Sequence, residues 1–207
     1  MAVQRYAIDG YSVLELNQVA FPTTGTIEAQ CKLNYYKPAQ GATPASGDFK
    51  TLSTDANGVA CEVGMLLAVD KANDLVKLPA AAEDNPVGLN YTTEYIYNQY
   101  TKGLNKFAMV QDIAGGEYLP RIGYLTTGDK FTTNCLAYDT DEFANDAAVD
   151  TALAAYKTTA VYGGISTNGA ILLSATKPTV GPVLKVVKDY TLPDGISHGV
   201  MFQVIKG

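Results

Sequence analysis

Only one segment of this 207-residue chain repeats its apolar residues at helical spacing. It covers residues 146–156, where acidic residues crowd the first turn, as the helix dipole favours. Asp141 or Asn145 is predicted to cap this helix. Parallel strands need a crossover connection of a dozen or more residues, usually a helix. One helix therefore predicts a sheet that is mostly antiparallel.

The rest of the chain is rich in residues that favour strands, with 14 tyrosines and with 19 glycines spread as turn punctuation. Residues 26–33 alternate between apolar and polar, which predicts a half-buried strand with an apolar face. That face holds Ile27, Ala29, Cys31 and Leu33. The apolar runs 59–70 and 75–78 predict a hairpin. Further strands are expected at 86–89, 106–111, 123–125, 131–138, 159–162, 170–174, 183–187 and 200–205.

Residues 38–55 are rich in Pro, Gly, Ala, Ser and Thr and have almost no large apolar side chain, which predicts a loop. We expect residues 1–57 to hold an N-terminal arm, one strand and this loop. Residues 58–207 are expected to form one β-rich domain. The arm, residues 1–21, has scattered apolar residues that should pack on a surface. The predicted fold is mainly β, an antiparallel barrel or sandwich with one short helix and an extended N-terminal arm.

Composition excludes several classes of function. A net charge of -6 and a pI near 4.7 argue against nucleic acid as a partner, because phosphate binding needs a dense Lys and Arg surface. No run approaches the roughly 18 apolar residues of a membrane span. The first ten residues lack the apolar region of a secretion signal, which predicts synthesis in a cytoplasm and retention there until assembly. The 3 cysteines are far apart, which predicts reduced, buried thiols.

The single histidine, His198, follows Ser197 and lies near Asp194. Adjacent residues of an extended segment point to opposite faces, so Ser197 is not expected to be a nucleophile served by His198. A turn leading into the last strand explains the segment more simply. We therefore predict no catalytic residue and no enzyme.

An acidic cluster is formed by Asp139, Asp141 and Glu142. Its carboxylates suit a weak cation site, but the EF-hand spacing is absent and helix capping explains them. The pairs Gly115-Gly116 and Gly163-Gly164 match no phosphate-binding motif and are predicted to be hairpin turns. No metal or cofactor is expected.

The most unusual local feature is a tyrosine cluster, Tyr91, Tyr95, Tyr97 and Tyr100. Aromatic side chains of this kind stack on sugars or on single-stranded nucleic acid, although only Lys102 is a nearby base. Tyrosine is also favoured in protein interfaces. We favour an interface and keep ligand binding as the alternative.

One region resembles a known family. The pattern begins with a strand that opens with glycine, at residues 64–70, and a polar turn joins it to a short strand at 75–78. A Pro-Val-Gly strand follows at residues 85–89. Further along, Gly128-Asp129 precedes a strand at Phe131. This pattern resembles the capsid decoration (cement or head auxiliary) proteins of tailed bacteriophages. The resemblance spans residues 58–135, with a looser echo at 163–174.

The resemblance implies a β-tulip-type knob on the outer surface of a phage head, made in the host cytoplasm and commonly trimeric. Such proteins clamp major-capsid subunits, and their N-terminal arm often adds a strand to the capsid lattice. The loop at 38–55 and the helix depart from compact members. The alternatives are another phage appendage (tail, fibre or collar), a pilin-like subunit or, less favoured, a carbohydrate-binding module. The predicted partner-binding residues are Tyr6, Ile8, Tyr11, Val13, Leu14, Leu16, Phe21, Tyr91, Tyr95, Tyr97 and Tyr100.

Overall fold

A computed structural model describes residues 2–6, 14, 27–34, 61–92, 108–109, 119–191 and 198–207. The fold of these residues is mainly β with one helix, as predicted. The elements are β1 Val3–Arg5, β2 Ile27–Glu28, β3 Lys32–Leu33, β4 Cys61–Glu62, β5 Leu66–Asp70, β6 Leu75–Lys77, β7 Val87–Asn90, β8 Ala108–Met109, β9 Ile122–Tyr124, β10 Lys130–Thr133, β11 Leu136–Asp139, α1 Asp146–Ala154, β12 Tyr162–Gly164, β13 Ile171–Ser174, β14 Val183–Thr191 and β15 His198–Lys206.

The larger sheet has seven strands in the order β1-β11-β13-β12-β14-β15-β10. All of its pairs are antiparallel except β11–β13. The connection between these two parallel strands contains α1, the described helix. The sequence argument, that each parallel pair needs a long crossover, therefore holds for this sheet.

The second sheet has six strands in the order β2-β9-β7-β5-β6-β3, and β4 and β8 form a separate pair. Its edge strands β2 and β3 are joined by residues 29–31, which reach about 14 Å at most. A flat sheet would hold these edges about 24 Å apart. The sheet is therefore curled, and the ion pair from Lys71 to Glu28, at 3.9 Å, lies across the same edge.

The prediction of a continuous strand at 26–33 is wrong, because the chain follows this curl. The chain bends at Gln30–Cys31 and passes from one sheet edge to the other. Cys31 and Leu33 are buried as expected, whereas Ile27 is 56% exposed. Alternation places all four apolar residues on one face only when the strand is unbroken.

The hairpin predicted from residues 59–70 and 75–78 is confirmed, since β5 pairs with β6 in antiparallel register. Strand β5 also pairs with β7 and is buried on both faces. Leu66 belongs to one core, which lies under the seven-stranded sheet, and Leu67 and Val69 belong to the other, inside the six-stranded sheet. This double burial explains an apolar run with no polar alternation.

The pair Gly163-Gly164 forms most of β12 and is not the predicted turn. A Cβ at Gly163 would lie 2.6 Å from Ile171 Cγ2 and 3.0 Å from Phe202 Cε1. Glycine therefore occupies this strand because the neighbouring core side chains fill the space of a side chain.

The N-terminal segment is part of the same fold. Strand β1 pairs with β11 at one edge of the seven-stranded sheet, and Leu14 forms a β-bridge with Thr133 of β10 at the opposite edge. Tyr6 and Leu14 are only 2% and 5% exposed and belong to the first core. The prediction that they bind a partner is corrected, because both side chains are covered by their own chain.

Candidate functional site

The helix α1 supplies the first side chain of the candidate site. Asn145 caps it by accepting a 3.0 Å hydrogen bond from the backbone amide of Ala148, as predicted. Val149 and Leu153 are buried against the core under the seven-stranded sheet. This packing leaves Asp150 beside the end of β1.

The hairpin of β14 and β15 supplies two more side chains. His198 pairs with Thr191, and Asp189 lies two residues before Thr191 on the same face. His198 and Asp189 are therefore diagonal neighbours across the two strands. His198 Nε2 and Asp189 Oδ1 are in direct hydrogen-bond contact.

Tyr6, at the end of β1, completes the cluster. Its hydroxyl donates to Asp150 Oδ1 and lies 3.1 Å from His198 Nδ1. Strands β1 and β15 are five positions apart in the sheet, which is about 24 Å if the sheet is flat. The hydrogen bond therefore shows that the sheet curls. We call the cluster of Tyr6, Asp150, Asp189 and His198 the seam cluster, because it joins the two sides of this curl.

Burial and carboxylates control the electrostatics of the seam cluster. Burial, followed by the hydrogen bond and charge of Asp150 and by the charge of Asp189, raises the pKa of Tyr6 far above its ordinary value. A similar bond lies next to it, where the Tyr138 hydroxyl donates to Asp146 Oδ1 at 2.8 Å. Burial and Asp146 also raise the pKa of Tyr138. Both phenols therefore stay protonated and act as hydrogen-bond donors.

The order of groups in the seam cluster resembles that of a catalytic triad, with a carboxylate, an imidazole and a hydroxyl. A nucleophile must be exposed to its substrate and must give up its proton readily. Tyr6 is 2% exposed and holds its proton strongly. The arrangement suits hydrogen bonding and proton uptake better than nucleophilic attack.

An ion pair holds β1 on its other face. Arg5 Nη2 lies 2.8 Å from Glu62 Oε2, and both side chains are largely buried. Adjacent residues of a strand point to opposite sides. Arg5 and Tyr6 therefore fix β1 from both of its faces.

The other predicted partner-binding residues fall into two groups. Tyr91 is half-buried, and its ring lies so close to Gly123 that a Cβ there would be 3.3 Å from Tyr91 Cε1. This ring packs on its own sheet. The remaining candidates lie outside the described residues: Ile8, Tyr11, Val13, Leu16, Phe21, Tyr95, Tyr97 and Tyr100.

The acidic cluster forms one local turn and one contact with β13. Asp139 Oδ1 accepts from the amide of Asp141 at 3.0 Å, and Glu142 accepts from the hydroxyl of Ser174. In the described ranges, no three His, Cys, Asp or Glu side chains are grouped to hold a metal ion. The prediction for the cysteines is confirmed, since Cys31, Cys61 and Cys135 are buried thiols that form no disulfide among the described residues.

Sequence reasoning weighed His198 with its neighbours Asp194 and Ser197 and missed the seam cluster. The alternation in the last strand places His198 on the face of Val200 and Phe202, which is a usable signal. The partners come from α1, β14 and β1, and no spacing in the sequence connects them.

Comparison with protein-family models, with curated proteins and with solved structures found no match. Over the ranges that the structure describes, no helix has the length and apolarity needed to cross a membrane.

Proposed function

We propose that this chain is a structural virion protein that binds the outer surface of a tailed-phage capsid and stabilises the major-capsid lattice. The sequence pattern of decoration proteins supports the proposal. The residues of that pattern lie in or next to β5, β6 and β7 of the six-stranded sheet and β10 of the seven-stranded sheet. The proposed partner is the major capsid protein, and the proposed assembly is a homo-oligomer, most simply a trimer.

The observation that carries the proposal is that the reactive side chains of the seam cluster bind to one another. His198, the single histidine, and Tyr6 hydrogen bond to each other and to carboxylates of their own chain. A chain whose imidazole and buried phenol hold a curled sheet together is suited to mechanical support. The proposed protein therefore works by adhesion and not by catalysis.

The surface proposed for docking is the β2 edge of the six-stranded sheet. Among the described residues, the large apolar side chains that are exposed are Ile27 at 56% and Leu119 at 46%. Ile27 pairs with Gly123 of β9, and Leu119 precedes the same strand by three residues. Both side chains offer apolar area that a protein partner would bury.

The experiment measures binding of the purified protein to heads assembled from the major capsid protein of the same genome. Ile27→Glu and Leu119→Glu should each weaken binding at least tenfold, because a carboxylate would be desolvated in the contact. Ala147→Glu, on the exposed side of α1, is the matched control and should bind normally. Wild-type protein that stays in the supernatant with saturating heads would refute the proposal. Binding to tails, fibres or sugars in its place would favour the alternative classes.

A further inference from the structure

The hydrogen bonds of the seam cluster require a definite number of protons. Asp189 is a carboxylate acceptor, so its bond uses the proton on His198 Nε2. The bond from Tyr6 to Asp150 uses the phenol proton. The third bond, between Tyr6 Oη and His198 Nδ1, needs another proton. Only a ring protonated on both nitrogens supplies it.

We propose that His198 is a proton-operated latch for the N-terminal strand. As an imidazolium, it completes all three bonds and holds Tyr6 in the seam. As a neutral ring, it leaves its Nδ1 and Asp150 competing for the one proton of Tyr6, so one bond is lost and β1 is held less firmly.

Two carboxylates lie beside the ring. Asp189 lies at Nε2, and Asp150 Oδ1 lies 3.8 Å from Nδ1. Asp146, one helical turn before Asp150, is engaged by Tyr138. Carboxylates near an imidazolium stabilise its charge.

Two other charged residues lie near His198 in the chain or the sheet. Lys188 pairs with Met201, and its side chain alternates to the face opposite Asp189. Asp194 precedes His198 in the stretch 192–197, outside the described residues. The proposal rests on the contacts of the ring with the Tyr6 phenol and with the Asp150 and Asp189 carboxylates.

The sign of the pH dependence follows from the proton count. The latched state holds one proton more than a released state with a neutral ring, so latching becomes more favourable as the pH falls through the range in which histidine titrates. The strand β1 should be held most firmly in mild acid.

The test combines two nuclear magnetic resonance measurements. Because the chain has one histidine, its ring nitrogen signals are unambiguous. The amides of Tyr6 and Thr140, which donate to Leu136 and Ala2 in the β1–β11 pair, report the latch by hydrogen exchange. After correction for intrinsic rates, protection should be roughly tenfold higher at pH 5.5 than at pH 8.5, the effect of about one hydrogen bond to a charged group.

Variants separate the latch from general stability. His198→Gln should abolish the pH dependence of protection, and so should Asp150→Ala, which removes the exposed acceptor that competes with His198 Nδ1 and should still fold. Tyr138→Phe removes a similar bond to Asp146 and should retain the dependence. Equal protection at both pH values in the wild type, a neutral ring at pH 5.5, or dependence that survives His198→Gln would overturn the proposal.

Discussion

Arg5 Nη2 donates a 2.8 Å hydrogen bond to Glu62 Oε2, and the two residues lie 57 positions apart in the chain. The bond joins β1, at the edge of the seven-stranded sheet, to β4 of the two-stranded pair. Its neighbour Tyr6 makes the seam cluster on the opposite face. Arg5 therefore connects β1 to β4, and Tyr6 connects it to α1 and β15.

Replacing Arg5 by Met should lower the free energy of unfolding by about 1 to 3 kcal/mol, the range for a largely buried hydrogen bond between charged groups. Met keeps much of the apolar stem, so the loss reports the guanidinium. Urea unfolding followed by circular dichroism measures it, with the exposed Gln4→Met as the control. Equal midpoints for the two variants would show that the ion pair does not stabilise β1.

Deleting residues 1–14 should destabilise the domain severely, instead of removing an independent arm. The deletion removes Tyr6 and Leu14 from the core, and loss of one large buried side chain costs about 3 to 5 kcal/mol. This is a large part of the stability of a typical domain. Thermal unfolding should show a lower or absent cooperative transition. An unchanged melting temperature would restore the prediction of a detachable arm.

Gly64→Ala should cost about 2 to 5 kcal/mol, since it adds a left-handed backbone strain to an overpacked contact. Gly64 has φ +88°, and a Cβ there would lie 2.3 Å from Thr133 Oγ1. Gly123→Ala is the control, because its nearest contact is the Tyr91 ring at 3.3 Å. Chemical denaturation compares the two. A Gly64→Ala protein as stable as Gly123→Ala would show that the sheets do not approach this closely.

Alkaline titration should reveal tyrosines that ionise late. The pKa of Tyr6, Tyr138, Tyr91 and Tyr124 is raised, chiefly by burial. A raised folded-state pKa contributes stability below the ordinary value near 10, and this stability is lost as the pH rises above it. The ultraviolet absorbance of the phenolate should therefore show a late phase that coincides with unfolding. Tyr6→Phe should reduce its amplitude; ionisation of all tyrosines in one early phase would contradict the burial.

Local patterns predicted much of the fold. The helix, its Asn145 cap and the β5–β6 hairpin depend on neighbouring residues, and all three are present. The predictions of a continuous strand at 26–33 and of a turn at Gly163-Gly164 are wrong for the same reason. A bend between sheet edges, and a strand that lacks space for a side chain, depend on neighbours distant in the chain.

The candidate site was less predictable than the fold. The seam cluster takes its groups from β1, α1, β14 and β15, and only the curl of the sheet brings them together. Of the apolar arm residues that were expected to pack on a surface, the structure describes Tyr6 and Leu14, and both are buried. The surface that covers Tyr6 and Leu14 belongs to the same chain. The spacing of apolar residues does not tell whether they pack on their own chain or on a partner.

The central claim is adhesion to a capsid, and cryo-electron microscopy of heads with and without this protein tests it most directly. The account predicts that reconstructions differ by density on the outer surface, into which the two curled sheets fit, at repeated lattice positions. Identical reconstructions from particles assembled with excess protein would contradict it.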